Sequence, residues 1–308
     1  TTKLEKQFTL QSLDMQKKCL DSYSMMIVSK YLPTFDDMKK IPMINSRFKD
    51  TLEKFRYNPI SLDERSRKHF RNVETLYLFS RSDERYNDGK VKSYCIQYPV
   101  NYETFLREKE QGNTCAHVVY SRFDRIKYGN TIPEEVNALG GFCFGNDIGE
   151  DDSCSIDSIS IPTTVTSLGD RCFYCCSKLT SIELPSSIVS LGSSCFSGCV
   201  SLTGIKIPPL VKTINESCFF DCHNLKEVTL PHSLNELGTA CFYKCSQLTL
   251  LKFPDTVITI GSKLLCYCIR IIGNLFYPKL LTKLGERCFD GCPCPVPAGF
   301  FRRLLEYS

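Results

Sequence analysis

The residues with the most chemical potential in this sequence are its cysteines. There are 19, and five pairs of them share the spacing C-F-x-x-C: Cys172/Cys176, Cys195/Cys199, Cys218/Cys222, Cys241/Cys245 and Cys288/Cys292. That spacing is compatible with structural zinc, and cysteines on stacked segments come within disulfide range. The third chemistry is none at all, since free cysteine packs as a small hydrophobe and is among the most buried residue types. Each pair brackets a phenylalanine, and in one instance Leu264 takes the first cysteine's place, which a metal ligand would not tolerate. An odd total and a charged, mixed segment 1–20 without an apolar signal-peptide core favour free, buried thiols in a reducing compartment. A cytoplasmic location is therefore expected, with the cell surface, reached without a signal peptide, as the alternative.

Other candidate chemistry is sparse. Cys222-His223 has the composition of a dyad, but His223 stands where Ser177, Val200 and Ser246 stand elsewhere, so it reads as a turn residue. Asn215-Glu216-Ser217 is a glycosylation sequon that matters only in a secreted chain. There is no G-x-x-x-x-G-K-S/T, no G-x-G-x-x-G after a strand and no G-x-S-x-G. Without tryptophan and with four histidines, metal, haem and general-base chemistry have little to work with. No catalytic residue, metal or cofactor is expected.

The residues that must position the thiols repeat with them. Pro162, Pro185, Pro208, Pro231 and Pro254 are spaced by a constant step of 23. Each is followed after three residues by an aliphatic (Val165, Ile188, Val211, Leu234, Val257) and after six by another (Leu168, Leu191, Ile214, Leu237, Ile260). Seven after it stands Gly169, Gly192, Gly238 or Gly261, with Asn215 as the exception, a set that reads as a left-handed backbone position. C-F-x-x-C comes next, then a leucine and an aliphatic such as Leu179 and Ile182. Within one unit 179–184 reads as a short strand ended by Pro185, 189–192 as a second extended piece, and 194–198 as a tight turn that drops Cys195 and Phe196 onto the core. A single such coil cannot bury its apolar side, so neighbours must stack in parallel. Phe173, Phe196, Phe219, Phe242 and Phe289 should form one buried column.

These residues resemble the BspA-type leucine-rich repeat, whose pattern is I/L-P-x-x-V/I-x-x-I/L-G-x-x-A/C-F-x-x-C-x-x-L-x-x-I. The resemblance covers about 132–292 and implies a curved solenoid with a protein-binding surface, of a family found in bacteria and parasitic protists. Some of its members act at cell surfaces as adhesins. The expected fold is a leucine-rich-repeat solenoid of short parallel strands and turns or 3-10 segments in 23-residue coils, with a small helical N-terminal cap.

Segment 20–56 has helical spacing (Leu20, Tyr23, Ile27, Val28, Tyr31-Leu32) that stops at Pro33, and Asp36-Asp37 sits where a second helix would be capped. Leu20, Ile27, Tyr31-Leu32, Asp37-Met38, Ile41, Ile44 and Phe48 resemble an F-box-like module, which implies a Skp-type adaptor bound through 20–48. Pro42 interrupts the second helix, and Leu20 is followed by Asp21 where the F-box pattern has proline. The segment also resembles the N-terminal region that accompanies these repeats in protist relatives, and a plain cap over the solenoid core needs no partner. The expected organisation is 1–57 helical, F-box-like or cap; 58–131 irregular opening repeats; 132–292 BspA-type repeats; and 293–308 a C-terminal cap with a short helix around Phe300-Phe301. An insertion at 145–155 interrupts the repeats.

Charge fits a binding protein of no special polarity. Residues 1–131 hold 24 Lys+Arg against 17 Asp+Glu and the rest 14 against 17, interspersed in sign, so neither nucleic acid nor an anionic membrane is an expected partner. No apolar run is long enough to span a membrane. The expected function is a non-enzymatic leucine-rich-repeat scaffold for protein partners, with an F-box-type ubiquitin-ligase adaptor and a surface adhesin as alternatives. The candidate face is two rows of outward strand positions: Ser160, Glu183, Lys206, Thr229 and Lys252, and beside them Ser158, Ser181, Gly204, Glu227 and Leu250.

Overall fold

The computed structural model describes residues 20–146, 156–271 and 278–293. Most of the 145–155 insertion and the expected C-terminal helix lie outside them. The chain divides into two compact units, one running to Tyr98 and taking in Glu108–Ala116, the other holding Pro99–Arg107 and the chain from His117 onward.

The first unit opens with the helix Ser22–Ser29, whose cap Asp21 accepts a hydrogen bond from the Ser24 amide at 2.6 Å. The second helix is capped by Thr34, one turn earlier than expected, which puts Asp36 and Asp37 in the first turn where the helix dipole favours them. Pro42 divides this helical stretch into Phe35–Met38 and Ile41–Ile44, occupying the opening turn of the latter, where its missing N–H costs nothing. Met38, Ile41, Phe48 and Phe55 are buried, and Phe55 and Phe35 pack on Phe70 with ring centroids 5.7 and 6.4 Å apart. The helices thus share one core with the neighbouring strands. Those strands, Thr75–Leu78, Ser93–Ile96 and Thr114–Cys115, form a parallel sheet in a coil step of 18 residues between the first two. Arg85 grips the buried Glu108 through both oxygens (2.8 and 3.1 Å), and Asn113 donates to the same carboxylate at 2.8 Å, so the charge is paired as burial demands.

The second unit is a stack of coils. A nine-stranded, all-parallel sheet runs through Val100–Asn101, Val118–Tyr120, Ala138–Leu139, Ser167–Leu168, Ser190–Leu191, Thr213–Ile214, Glu236–Leu237, Thr259–Ile260 and Lys283–Leu284. It therefore lies on the second extended piece of each unit. Among the described residues, the piece expected as a short strand pairs only as Gly204–Lys206 with Glu227–Thr229, extended by a bridge from Glu227 to Leu250. Elsewhere it is held by single rungs such as Thr203 N–H to Thr180 O at 3.2 Å.

The glycines explain this difference and are themselves a correction. None of Gly169, Gly192, Gly238 and Gly261 is left-handed. Each donates its N–H to the preceding coil (Gly238 to Ile214 O, 2.8 Å), and a Cβ added at Gly238 would lie 2.5 Å from the Glu216 nitrogen, at Gly169 2.6 Å from that of Gly141. Close approach of neighbouring backbones, not φ, is what excludes a side chain. Asn215 fills the same place and donates its side-chain nitrogen to Leu191 O at 2.7 Å.

The left-handed residues stand instead inside the cysteine turns, two per coil. One precedes the first cysteine (Arg171, Ser194, Ser217 and Ala240, φ 53 to 55°), the other precedes the second (Cys175, Gly198, Asp221, Lys244, φ 55 to 74°). Glycine takes this second place at Gly198 and Gly291. Lys244→Gly is accordingly expected to stabilise the protein by about 0.5–1 kcal/mol, the relief of a left-handed L-residue less the added freedom of the unfolded chain. Urea unfolding checks this; a destabilised variant would show that the strain is not there.

Phe144, Phe173, Phe196, Phe219 and Phe242 form the buried column, each 0% exposed, with centroids 5.2–5.5 Å apart and planes within 6°. Phe289 is the exception to the expected column. It is half-buried, because in the coil before it the position belongs to the fully buried Leu265 and it lies near the end of the described coils.

Candidate protein-interaction face

The face is built by alternation. Ile182, Ile205, Val228 and Leu251 point inward and are buried, which turns their neighbours outward. Ser158, Ser160, Ser181, Glu183, Lys206, Glu227, Thr229 and Lys252 are all exposed. Register places Lys206 beside Thr229, and Gly204 beside Glu227 beside Leu250, which is 49% exposed. Ser158, Ser160, Ser181 and Glu183 come together along a shallow groove of about 650 Å³ between their two coils. Glu227, Thr229 and Lys252 line a second, of about 330 Å³, whose apolar walls include Leu230 and Phe253. Among the described residues Glu183, Lys206, Glu227 and Lys252 enter no ion pair. One coil step separates successive members, roughly 4.8 Å where the strands pair.

The thiols lie on the other side of this layer, in the core. Cys176, Cys199, Cys222, Cys245 and Cys268 each donate to a phenylalanine carbonyl of the preceding coil, Phe144, Phe173, Phe196, Phe219 and Phe242, at 3.0–3.1 Å. A thiol is a weak donor, but repeated in register it supplies each carbonyl with a partner that no alkyl side chain could. Burial pushes the thiols of Cys172, Cys195, Cys199, Cys222, Cys241 and Cys245 well up, and that of Cys218 to about 12. Such thiols are poor nucleophiles and poor ligands. No disulfide joins two described cysteines, and no cluster of three potential metal ligands occurs among the described residues. Cys222 and His223 do not form a dyad: the thiol bonds to Phe196 O in the core, whereas the imidazole lies outside, 3.2 Å from the Asp221 carboxylate. The Asn215 amide of the sequon is committed to the Leu191 carbonyl.

One set of surface residues was not legible as a face. In the first unit Tyr57 and Tyr77 stack at 4.9 Å, Phe79 lies 6.3 Å from Tyr77, and Lys30 sits over the Tyr57 ring at 4.9 Å. The two outward rows of the repeat coils hold no aromatic residue. The signal was the alternation in Thr75–Leu78, with Leu76 and Leu78 buried and Tyr77 turned the other way.

The family model described as a BspA type leucine rich repeat region matches residues 129–199 and 151–272, in six copies. No curated protein matches the chain. Among solved structures, a leucine-rich repeat protein of T. pallidum is 23% identical with a TM-score of 0.50, over 62% of this chain and 87% of that one. A leucine-rich repeat protein from Eubacterium ventriosum is 17% identical with a TM-score of 0.48, over 74% of this chain and 76% of that one. The comparison with T. pallidum agrees with a stack of parallel leucine-rich coils. No described helix is long and apolar enough to cross a membrane. The coils that carry the face lie within the part of the chain that matches the BspA type leucine rich repeat region.

Proposed function

We propose that the chain is a non-enzymatic scaffold that binds a protein partner through the exposed rows of its repeat coils. The observation that supports this most is the unpaired, alternating set Glu183, Lys206, Glu227 and Lys252 on consecutive coils. Charges held in order but left without partners suit electrostatic selection of a complementary surface. Affinity purification from the native cell, comparing the intact protein with a Lys206→Glu, Lys252→Glu variant, tests the reading. A partner held by the first and lost from the second supports it. A partner retained equally by both overturns it.

A second reading, an F-box-type adaptor, has one observation in its favour. Of the residues that resemble that module, Ile27 is 40%, Tyr31 84% and Ile44 66% exposed, with Met43 beside them at 85%. An apolar patch of this kind marks interaction sites. Met38, Ile41 and Phe48 are buried, however, and we favour a cap whose outer side is apolar. Removal of 1–56 is expected to make the remainder aggregate or melt early, because Phe70 then loses both Phe35 and Phe55. A soluble truncated chain with an unshifted Tm, and capture of a Skp-type subunit by 20–48, would favour the adaptor.

A further inference from the structure

We propose that a cleft in the first unit docks an arginine-bearing apolar segment of a partner protein, at a place separate from the repeat face. The cleft, about 590 Å³, lies between 33–35, 60–66 and 79–84. Its apolar lining is Pro33, Phe35, Ile60, Leu62 and Phe79, the last contributing a ring that is 38% exposed just after the strand Thr75–Leu78. Its charged lining is entirely acidic: Asp63, Asp83 and Glu84, with no lysine or arginine among the residues that line it.

The three carboxylates differ in what they have left to offer. Asp83 is spent on the fold: its oxygens accept from the Phe79 amide (2.7 Å), the Ser80 amide (3.2 Å) and hydroxyl (2.8 Å), and the Ser61 hydroxyl (3.0 Å). It fixes the wall and supplies a permanent negative potential. Asp63 uses one oxygen, which takes the Ser66 amide at 2.7 Å and hydroxyl at 2.6 Å, leaving the other open. Glu84 is exposed, with the Tyr86 hydroxyl beside it. A guanidinium suits this arrangement better than an ammonium. Its flat face can lie on the Phe79 ring while its N–H groups reach the open carboxylate oxygens, and it gives up hydration more readily. Another lining ring, Phe35, already carries a cation from the chain itself, the Lys39 ammonium at 5.1 Å, which pairs with Asp36 at 2.7 Å. Apolar neighbours of the arginine would cover the rest of the wall.

The test is an amide chemical-shift titration of the full chain with acetyl-Leu-Arg-Leu-amide and, in parallel, the neutral acetyl-Leu-Gln-Leu-amide. Saturable shifts confined to 33–35, 60–66 and 79–84 are expected with the arginine peptide. Phe79→Ser, and separately Asp63→Asn with Glu84→Gln, should each weaken binding about fivefold or more. Asparagine keeps the helix cap that Asp63 supplies, and an unchanged Tm shows that each variant is folded. Equal binding of the neutral peptide, no saturable shifts, shifts elsewhere, or a dimer that Phe79→Ser dissolves would overturn the proposal, the last by making a second copy the occupant. None of these outcomes bears on Lys206 or Lys252, so failure here is distinguishable from failure of the repeat face.

Discussion

Between pH 8 and pH 10 the protein is expected to unfold, although nothing in its ion pairs requires it. Seven thiols, those of Cys172, Cys195, Cys199, Cys218, Cys222, Cys241 and Cys245, are held protonated by burial. In the unfolded chain a thiol ionises near pH 8.5. The folded state therefore binds more protons, its stability is full below that pH, and it falls as pH rises. Each thiol contributes a slope approaching ~1.4 kcal/mol per pH unit above pH 8.5. Seven together remove on the order of 6 kcal/mol by pH 9 and about 10 kcal/mol by pH 9.5, against a typical total of about 5–15 kcal/mol. Urea midpoints measured under reducing conditions from pH 7 to 10 check this. A midpoint that stays flat through pH 10 would mean that the cysteines are bridged, ligated or exposed.

Phe219→Ala is expected to cost about 3–5 kcal/mol. The ring is 0% exposed and sandwiched between Phe196 and Phe242, at 5.5 and 5.4 Å, so truncation opens a cavity that two rigid neighbours cannot fill. Phe289→Ala, on a half-buried ring, should cost only about 1–2 kcal/mol. Equilibrium unfolding of both variants gives the comparison. A loss under about 1 kcal/mol at Phe219 would put the coil register in error.

Much of the repeat region was legible because each coil repeats the same physical problem. Proline cannot continue a ladder, apolar residues must face the stack, and the small thiol recurs wherever the turn meets the core. The glycines were misread because a recurring glycine has two causes, left-handed φ and close approach, and a sequence pattern does not tell them apart. The left-handed positions were hidden for the opposite reason: Arg171 and Lys244 adopt φ 55° and 58° under the pull of the ladder, with no glycine to announce them. In the first unit the 18-residue coils lack proline punctuation. Their rungs come partly from side chains, as where the Asn58 side-chain oxygen accepts from the Tyr77 amide at 2.6 Å and that of Asn113 from the Tyr94 amide at 2.9 Å. Asparagines scattered in a loop-like stretch do not read as strand partners. The outward rows of the repeat face came directly from alternation, whereas the acidic cleft depends on 33–35, 60–66 and 79–84 meeting in space.

Photo-crosslinking in the native cell distinguishes a partner held on the outward rows of the repeat coils from one held on another side of the same coils. A photoreactive residue at Lys206 or Thr229 samples the proposed face, and one at the exposed Thr166 or Asn235 samples the nine-stranded sheet. A discrete crosslinked partner from Lys206 and Thr229, absent from Thr166 and Asn235, is the expected result. The same partner captured from Thr166 and Asn235 but not from Lys206 and Thr229 would contradict it.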